Sequence, residues 1–84
     1  MQIISDEITG NGTYIVRNIN FEHGYTITVL VNNFSKVWEV SVSYTNTTKF
    51  IPMKTFHGRL LYISNNMNNL ENKLKKLKKE VKNL

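Results

Sequence analysis

The stretch YTITVLVNNFSKVWEVSVSY, Tyr25 to Tyr44, decides the fold class. Tyr25, Ile27, Val29 and Val31 alternate with Thr26, Thr28 and Leu30, and Trp38, Val40, Val42 and Tyr44 alternate with Val37, Glu39, Ser41 and Ser43. A period of two is that of a strand with one buried face. Asn32-Asn33-Phe34-Ser35 between the runs has a turn composition. If these four residues join the strands as a hairpin, Val29 faces Trp38 and Ile27 faces Val40, so both apolar rows fall on one face.

Working outward, Thr13 to Asn20 and Ile3 to Ile8 are expected strands on either side of Gly10-Asn11-Gly12. Phe21-Glu22-His23-Gly24 would turn the chain into the hairpin. Lys49 to Met53 is weaker, because Pro52 lacks an amide donor and restricts such a strand to an edge or a bulge. Arg59-Leu60-Leu61-Tyr62-Ile63 reads as a last strand, or as a backward extension of the helix that follows. The strand is favoured, because four asparagines around Met67 make a poor helix interior. The fold class is therefore α+β: an antiparallel β-meander of four to six strands (residues 1–63), followed by one long basic amphipathic C-terminal α-helix (residues 64–84, from about 65), all in one domain.

The last segment follows a helical rule. Met67, Leu70, Leu74, Leu77, Val81 and Leu84 are spaced 3, 4, 3, 4, 3, the seam of an amphipathic helix. Such a seam covers the chain's own sheet alone, or also mediates oligomerisation as a stripe shared with a second chain. For a pair of helices, antiparallel packing sets Glu71 near Lys78′ and Lys73 near Glu80′, whereas parallel packing sets Lys73 against Lys78′. The expected partner on that reading is another copy, giving a homo-oligomer.

Charge is divided unevenly along the 84 residues. Up to Gly58, Arg17, Lys36, Lys49 and Lys54 are balanced by Asp6, Glu7, Glu22 and Glu39. From Arg59 onward, Arg59, Lys73, Lys75, Lys76, Lys78, Lys79 and Lys82 stand against Glu71 and Glu80, so the whole net charge of +5 lies in the last third. That asymmetry points to an acidic partner, whether nucleic acid, an acidic protein surface or an anionic membrane, the last disfavoured by a narrow apolar seam with no aromatic after Tyr62. Those seven bases are the candidate nucleic-acid-binding residues, with Arg17, Lys49 and Lys54 as further contributors, since lysines on one helix neutralise phosphates without regard to sequence. A lysine-rich outer face also keeps an exposed helix in solution. On the hairpin's outer face, Thr26, Thr28, Glu39, Ser41 and Ser43 include no aromatic platform on which bases stack.

Catalytic chemistry is poorly represented. The only histidines, His23 and His57, are 34 positions apart, each before a glycine, and neither belongs to a metal-ligand spacing. Asp6 is the only aspartate, and there are no cysteines, so neither a disulfide framework nor a thiolate metal site can form. The expectation is a non-enzymatic binding protein with no metal and no cofactor. The alternative is a small oligomeric inhibitor or adaptor that binds a protein or a small anionic ligand, its heptad helix mediating assembly. Alanine is absent and Asn, Lys and Ile are abundant, a bias expected of an AT-rich genome such as a phage or a low-GC bacterium. The N-terminus carries Asp6 and Glu7 where a signal peptide has a basic segment, and no apolar run approaches 18 residues, so the expectation is a cytoplasmic protein without a membrane span.

Overall fold

The structure, a computed structural model, describes residues 1–84. Five strands, β1 (Ile3–Gly10), β2 (Tyr14–Phe21), β3 (Tyr25–Asn32), β4 (Trp38–Tyr44) and β5 (Leu61–Ser64), form one antiparallel sheet in sequence order, and α1 (Leu70–Lys82) follows. The arrangement is α+β. β1 and β5 are both edges, so the sheet does not close into a barrel.

Glycine and asparagine set the first corner. Asn11 Oδ1 accepts from the amides of Thr13 and Tyr14, and Gly12 sits at φ 89°, a conformation that side chains with a Cβ resist. The second corner, Glu22–Gly24, is a single 3₁₀ turn in which His23 and Gly24 are both left-handed.

The central hairpin pairs Val31 with Trp38, Val29 with Val40 and Ile27 with Val42. The register expected from the sequence is thus two residues off, and the faces are unchanged because two is the period of the strand. The cause is the turn. Asn32 stays in β3, its side chain accepts from the amides of Phe34 and Ser35, and Lys36 adopts a left-handed φ of 60°. The loop therefore runs from 33 to 37, ending where the Asn32 amide donates to the Val37 carbonyl at 2.9 Å.

One sheet face carries Ile19, Phe21, Ile27, Val29, Val31, Trp38, Val40 and Val42 into a single core, against Leu74, Leu77 and Val81 of α1 and Met53 and Phe56 of the β4–β5 connection. Burying each of these side chains contributes roughly 1.5–3 kcal/mol before entropy is subtracted. The Lys49–Met53 segment makes two isolated bridges, Phe50 with Ser43 and Met53 with Arg59, and no strand. Past Pro52, the 3₁₀ turn Lys54–Phe56 swings Met53 and Phe56 under the helix.

The last strand begins at Leu61, leaving Arg59 and Leu60 in the preceding loop. The α-helix begins later than expected, at Leu70, with a 3₁₀ turn over Met67–Asn69 before it. Asparagine chemistry accounts for the delay: the Asn66 side chain accepts from the Asn68 amide, and its carbonyl takes both the Asn69 amide and the Trp38 indole N–H.

Candidate nucleic-acid interface

At 3.6 residues per turn, the sequence of α1 divides into an inner stripe, two flanks and an outer arc. The inner stripe is Leu74, Leu77 and Val81, all fully buried in the chain's own core, with Leu70 half-buried beside it. Met67 and Leu84, the ends of the heptad, are exposed. Self-packing is seen: Leu74, Leu77 and Val81 are buried in one core with the sheet residues. The reason is area, because a sheet with eight buried apolar side chains on one face needs a cover, and α1 is the only long element available.

Both acids of the helix lie on its flanks and are engaged there. On the β1–β2 side, Glu71 approaches Arg17 at 3.7 Å, and Arg17 makes a two-point bond to Asp6, through Nε at 2.9 Å and Nη2 at 2.7 Å. The Arg17 hydrogen bonds hold the Asp6 carboxyl below its ordinary value against the opposing effect of burial, and the charges of Arg17 and Lys78 add to the lowering. The same pairing raises Arg17. On the opposite flank, Glu80 receives the Lys54 amide at 2.6 Å, the Thr55 amide at 2.7 Å and the Thr55 hydroxyl at 2.7 Å. Partial burial alone would raise Glu80. The hydroxyl and the two amides outweigh it, and the carboxyl sits below its ordinary value. Glu80 thereby fastens the 54–56 turn to the helix, a role its place in a heptad did not announce.

The outer arc is left to lysine. Lys75, Lys76, Lys79 and Lys82 are exposed, and no carboxylate lies within ion-pair distance of any of them. Lys79 and Lys82 also occupy the last turn, where a positive charge complements the helix dipole. From Lys75 to Lys82 the arc extends roughly 10 Å along the axis at 1.5 Å per residue.

The other sequence candidates are dispersed. Lys73 lies half-buried on the β5 flank with its Nζ 4.2 Å from the Tyr62 ring centroid. Lys78 is half-buried on the flank facing Asp6. Arg59 is exposed in the loop before β5, off the helix. Arg17 is engaged by carboxylates, and Lys49 lines a hollow on the far side of the sheet with Asn18, Thr26 and Thr28. The structure thus brings four of the seven bases together on one arc.

The sheet face away from α1 holds a second feature that the alternation did not reveal. Thr26, Ser41 and Ser43 lie on it yet are more than nine-tenths buried. Polar side chains bond to one another across this face: Thr26 to Asn20 and Thr45, Asn20 to Ser5, and Thr28 to Asn18. Asn18, Asn20, Thr26, Thr28 and Ser43, with Glu7 and the 46–49 segment, line a hollow of about 720 Å³ with no apolar side chain. No group of three or more His, Cys, Asp or Glu side chains is placed to hold a metal ion, and no helix is long and apolar enough to cross a membrane.

No family model, curated protein or solved structure matches the chain.

Proposed function

We propose that this chain is a binding protein that contacts the phosphate backbone of nucleic acid through Lys75, Lys76, Lys79 and Lys82 on the outer arc of α1. One observation carries the reading. Both acids of the helix are turned to its flanks and engaged by Arg17 and by the 54–55 amides, so the arc presents four positive charges with no internal counter-charge. A lysine face that served only solubility would work equally well with its acids interspersed. Phosphates displace condensed counterions when such an arc approaches, and that release supplies affinity without reading bases.

The lining of the polar hollow on the opposite sheet face agrees with a backbone-only mode, since it includes no aromatic on which a base would stack. Arg59, Lys73 and Lys78 are secondary contributors, raising the local potential from the sides. An acidic protein surface is the competing partner for the same arc, and sensitivity to duplex length separates the two. The test is the variant with Lys75, Lys76, Lys79 and Lys82 all replaced by Gln. Its fold is expected to persist, because none of the four is buried, and its affinity for a 20-base-pair duplex is expected to fall by more than tenfold at low salt. Undiminished binding would move the site off the helix.

A further inference from the structure

The two edges of the sheet are guarded differently. β1 carries an irregularity between Ile3 and Ser5 and two acids, Asp6 and Glu7, all devices that discourage a further strand. β5 has none of them: Leu61-Tyr62-Ile63-Ser64 contains no proline, no lysine and no bulge. Every backbone hydrogen bond of β5 goes to β4, and none reaches it from outside. Its outward N–H and C=O groups form an unfilled ladder.

The two sides of that ladder differ in chemistry. Leu61 and Ile63 pair with Ser41 and Glu39 and so project to the face away from α1, where Ile63 is 57% exposed and borders a hollow of about 370 Å³ with Leu30 and Val37. Tyr62 and Ser64 pair with Val40 and Trp38 and so project toward α1, where Lys73 stands over the Tyr62 ring and Tyr62, Asn69, Asn72, Lys73 and Lys76 line a smaller hollow of about 260 Å³. Neither Lys73 nor Lys76 has a carboxylate within ion-pair distance.

An added strand would place alternate side chains on these two sides. We propose that β5 receives an extended peptide segment in which apolar and acidic residues alternate, the apolar set beside Leu61 and Ile63 and the acidic set beneath Lys73 and Lys76. Main-chain hydrogen bonds give such an augmented strand its hold, and the alternation gives it specificity. A second copy pairing β5 with β5′ is the poorer occupant, because it would bring the Lys73–Lys76 flanks of two helices side by side. This site shares Lys76 with the proposed phosphate-contacting arc, and otherwise uses the β5 flank of the helix and not Lys75, Lys79 or Lys82.

The test titrates the full-length, isotope-labelled protein with the blocked peptide Val-Glu-Val-Glu-Val-Glu and with Val-Lys-Val-Lys-Val-Lys, following the amides of residues 61–64 by NMR and hydrogen exchange. The acidic peptide is expected to slow exchange of the outward β5 amides by more than tenfold at saturation and to bind about tenfold tighter than the lysine peptide, the difference that two rim charges supply. Lys76→Glu, at an exposed position, should narrow that preference, and Lys73→Glu with Lys76→Glu should invert it. Ile63→Lys, which introduces a guarding charge, should weaken both peptides. Three results would overturn the proposal: no protection at residues 61–64, equal binding of the two peptides, or a free protein of dimer mass whose β5 amides are already protected. Protection of β5 by a duplex oligonucleotide but not by the acidic peptide would assign the edge to nucleic acid and equally overturn it.

Discussion

The indole Nε1 of Trp38 donates to the main-chain carbonyl of Asn66 at 3.0 Å, tying the first residue of β4 to the turn that launches α1. Trp38 is fully buried and its ring lies 5.5 Å from that of Tyr62, so a single side chain fixes the start of the helical segment relative to the sheet. Trp38→Phe keeps an aromatic in the core, removes the donor and leaves a void. The expected loss is about 2 kcal/mol, read as a lower urea midpoint by far-UV circular dichroism at unchanged cooperativity.

The inner stripe of α1 predicts a stability that does not depend on concentration. Leu77→Ala empties a fully buried position and is expected to cost about 3 kcal/mol, a large share of the stability of so small a domain. Because Leu74, Leu77 and Val81 pack within the chain, the wild-type thermal midpoint should be constant over a hundredfold range of protein concentration. A midpoint that rises with concentration would return the stripe to an interchain role.

Acid weakens the fold through two carboxylates. Asp6 and Glu80 are both lower in the folded chain than their ordinary values of 3.8 and 4.5. A lowered carboxyl contributes its full stability above the unfolded value, and loses it as pH falls through the folded one. The urea midpoint should therefore hold steady above about pH 5 and decline toward pH 3. Glu80→Gln should flatten that decline and lower the neutral-pH midpoint, because the Lys54 and Thr55 amides then lose a charged acceptor. An identical pH profile in the variant would contradict the role given to Glu80.

Gly12 isolates backbone conformation from packing. It stands at φ 89° with open space where a Cβ would project, so Gly12→Ala meets no clash. The substitution is expected to destabilise by about 1 kcal/mol through the left-handed backbone alone. Gly10→Ala, at a position without positive φ, serves as the control.

Much of this architecture is legible in the chain because alternation and heptad spacing are strong signals. Val29 and Val40 share a face for any even shift in register, so the core side of β3 and β4 follows from parity, whereas the pairing itself depends on a turn that Asn32 and Lys36 lengthen. The seam residues Leu74, Leu77 and Val81 announce a buried stripe, but periodicity does not say what buries it. Met53 and Phe56 enter the core from a 3₁₀ turn after Pro52, a setting in which three-residue spacing is too short to register as a pattern. For the candidate site, composition marks the lysines as a group. Only the helix geometry separates the exposed arc of Lys75, Lys76, Lys79 and Lys82 from Lys73 over Tyr62 and Lys78 near Asp6.

The most direct test of the phosphate-binding arc is the salt dependence of duplex affinity, measured by fluorescence anisotropy on a labelled 20-base-pair oligonucleotide. Four phosphate contacts predict a slope of log K against log [salt] of about −3.6, equivalent to roughly a hundredfold loss of affinity between 50 and 200 mM salt. The slope should fall by about 0.9 for each of Lys75, Lys76, Lys79 and Lys82 replaced by Gln. A slope near zero, or one that the four substitutions leave unchanged, would contradict the assignment of this arc to nucleic acid.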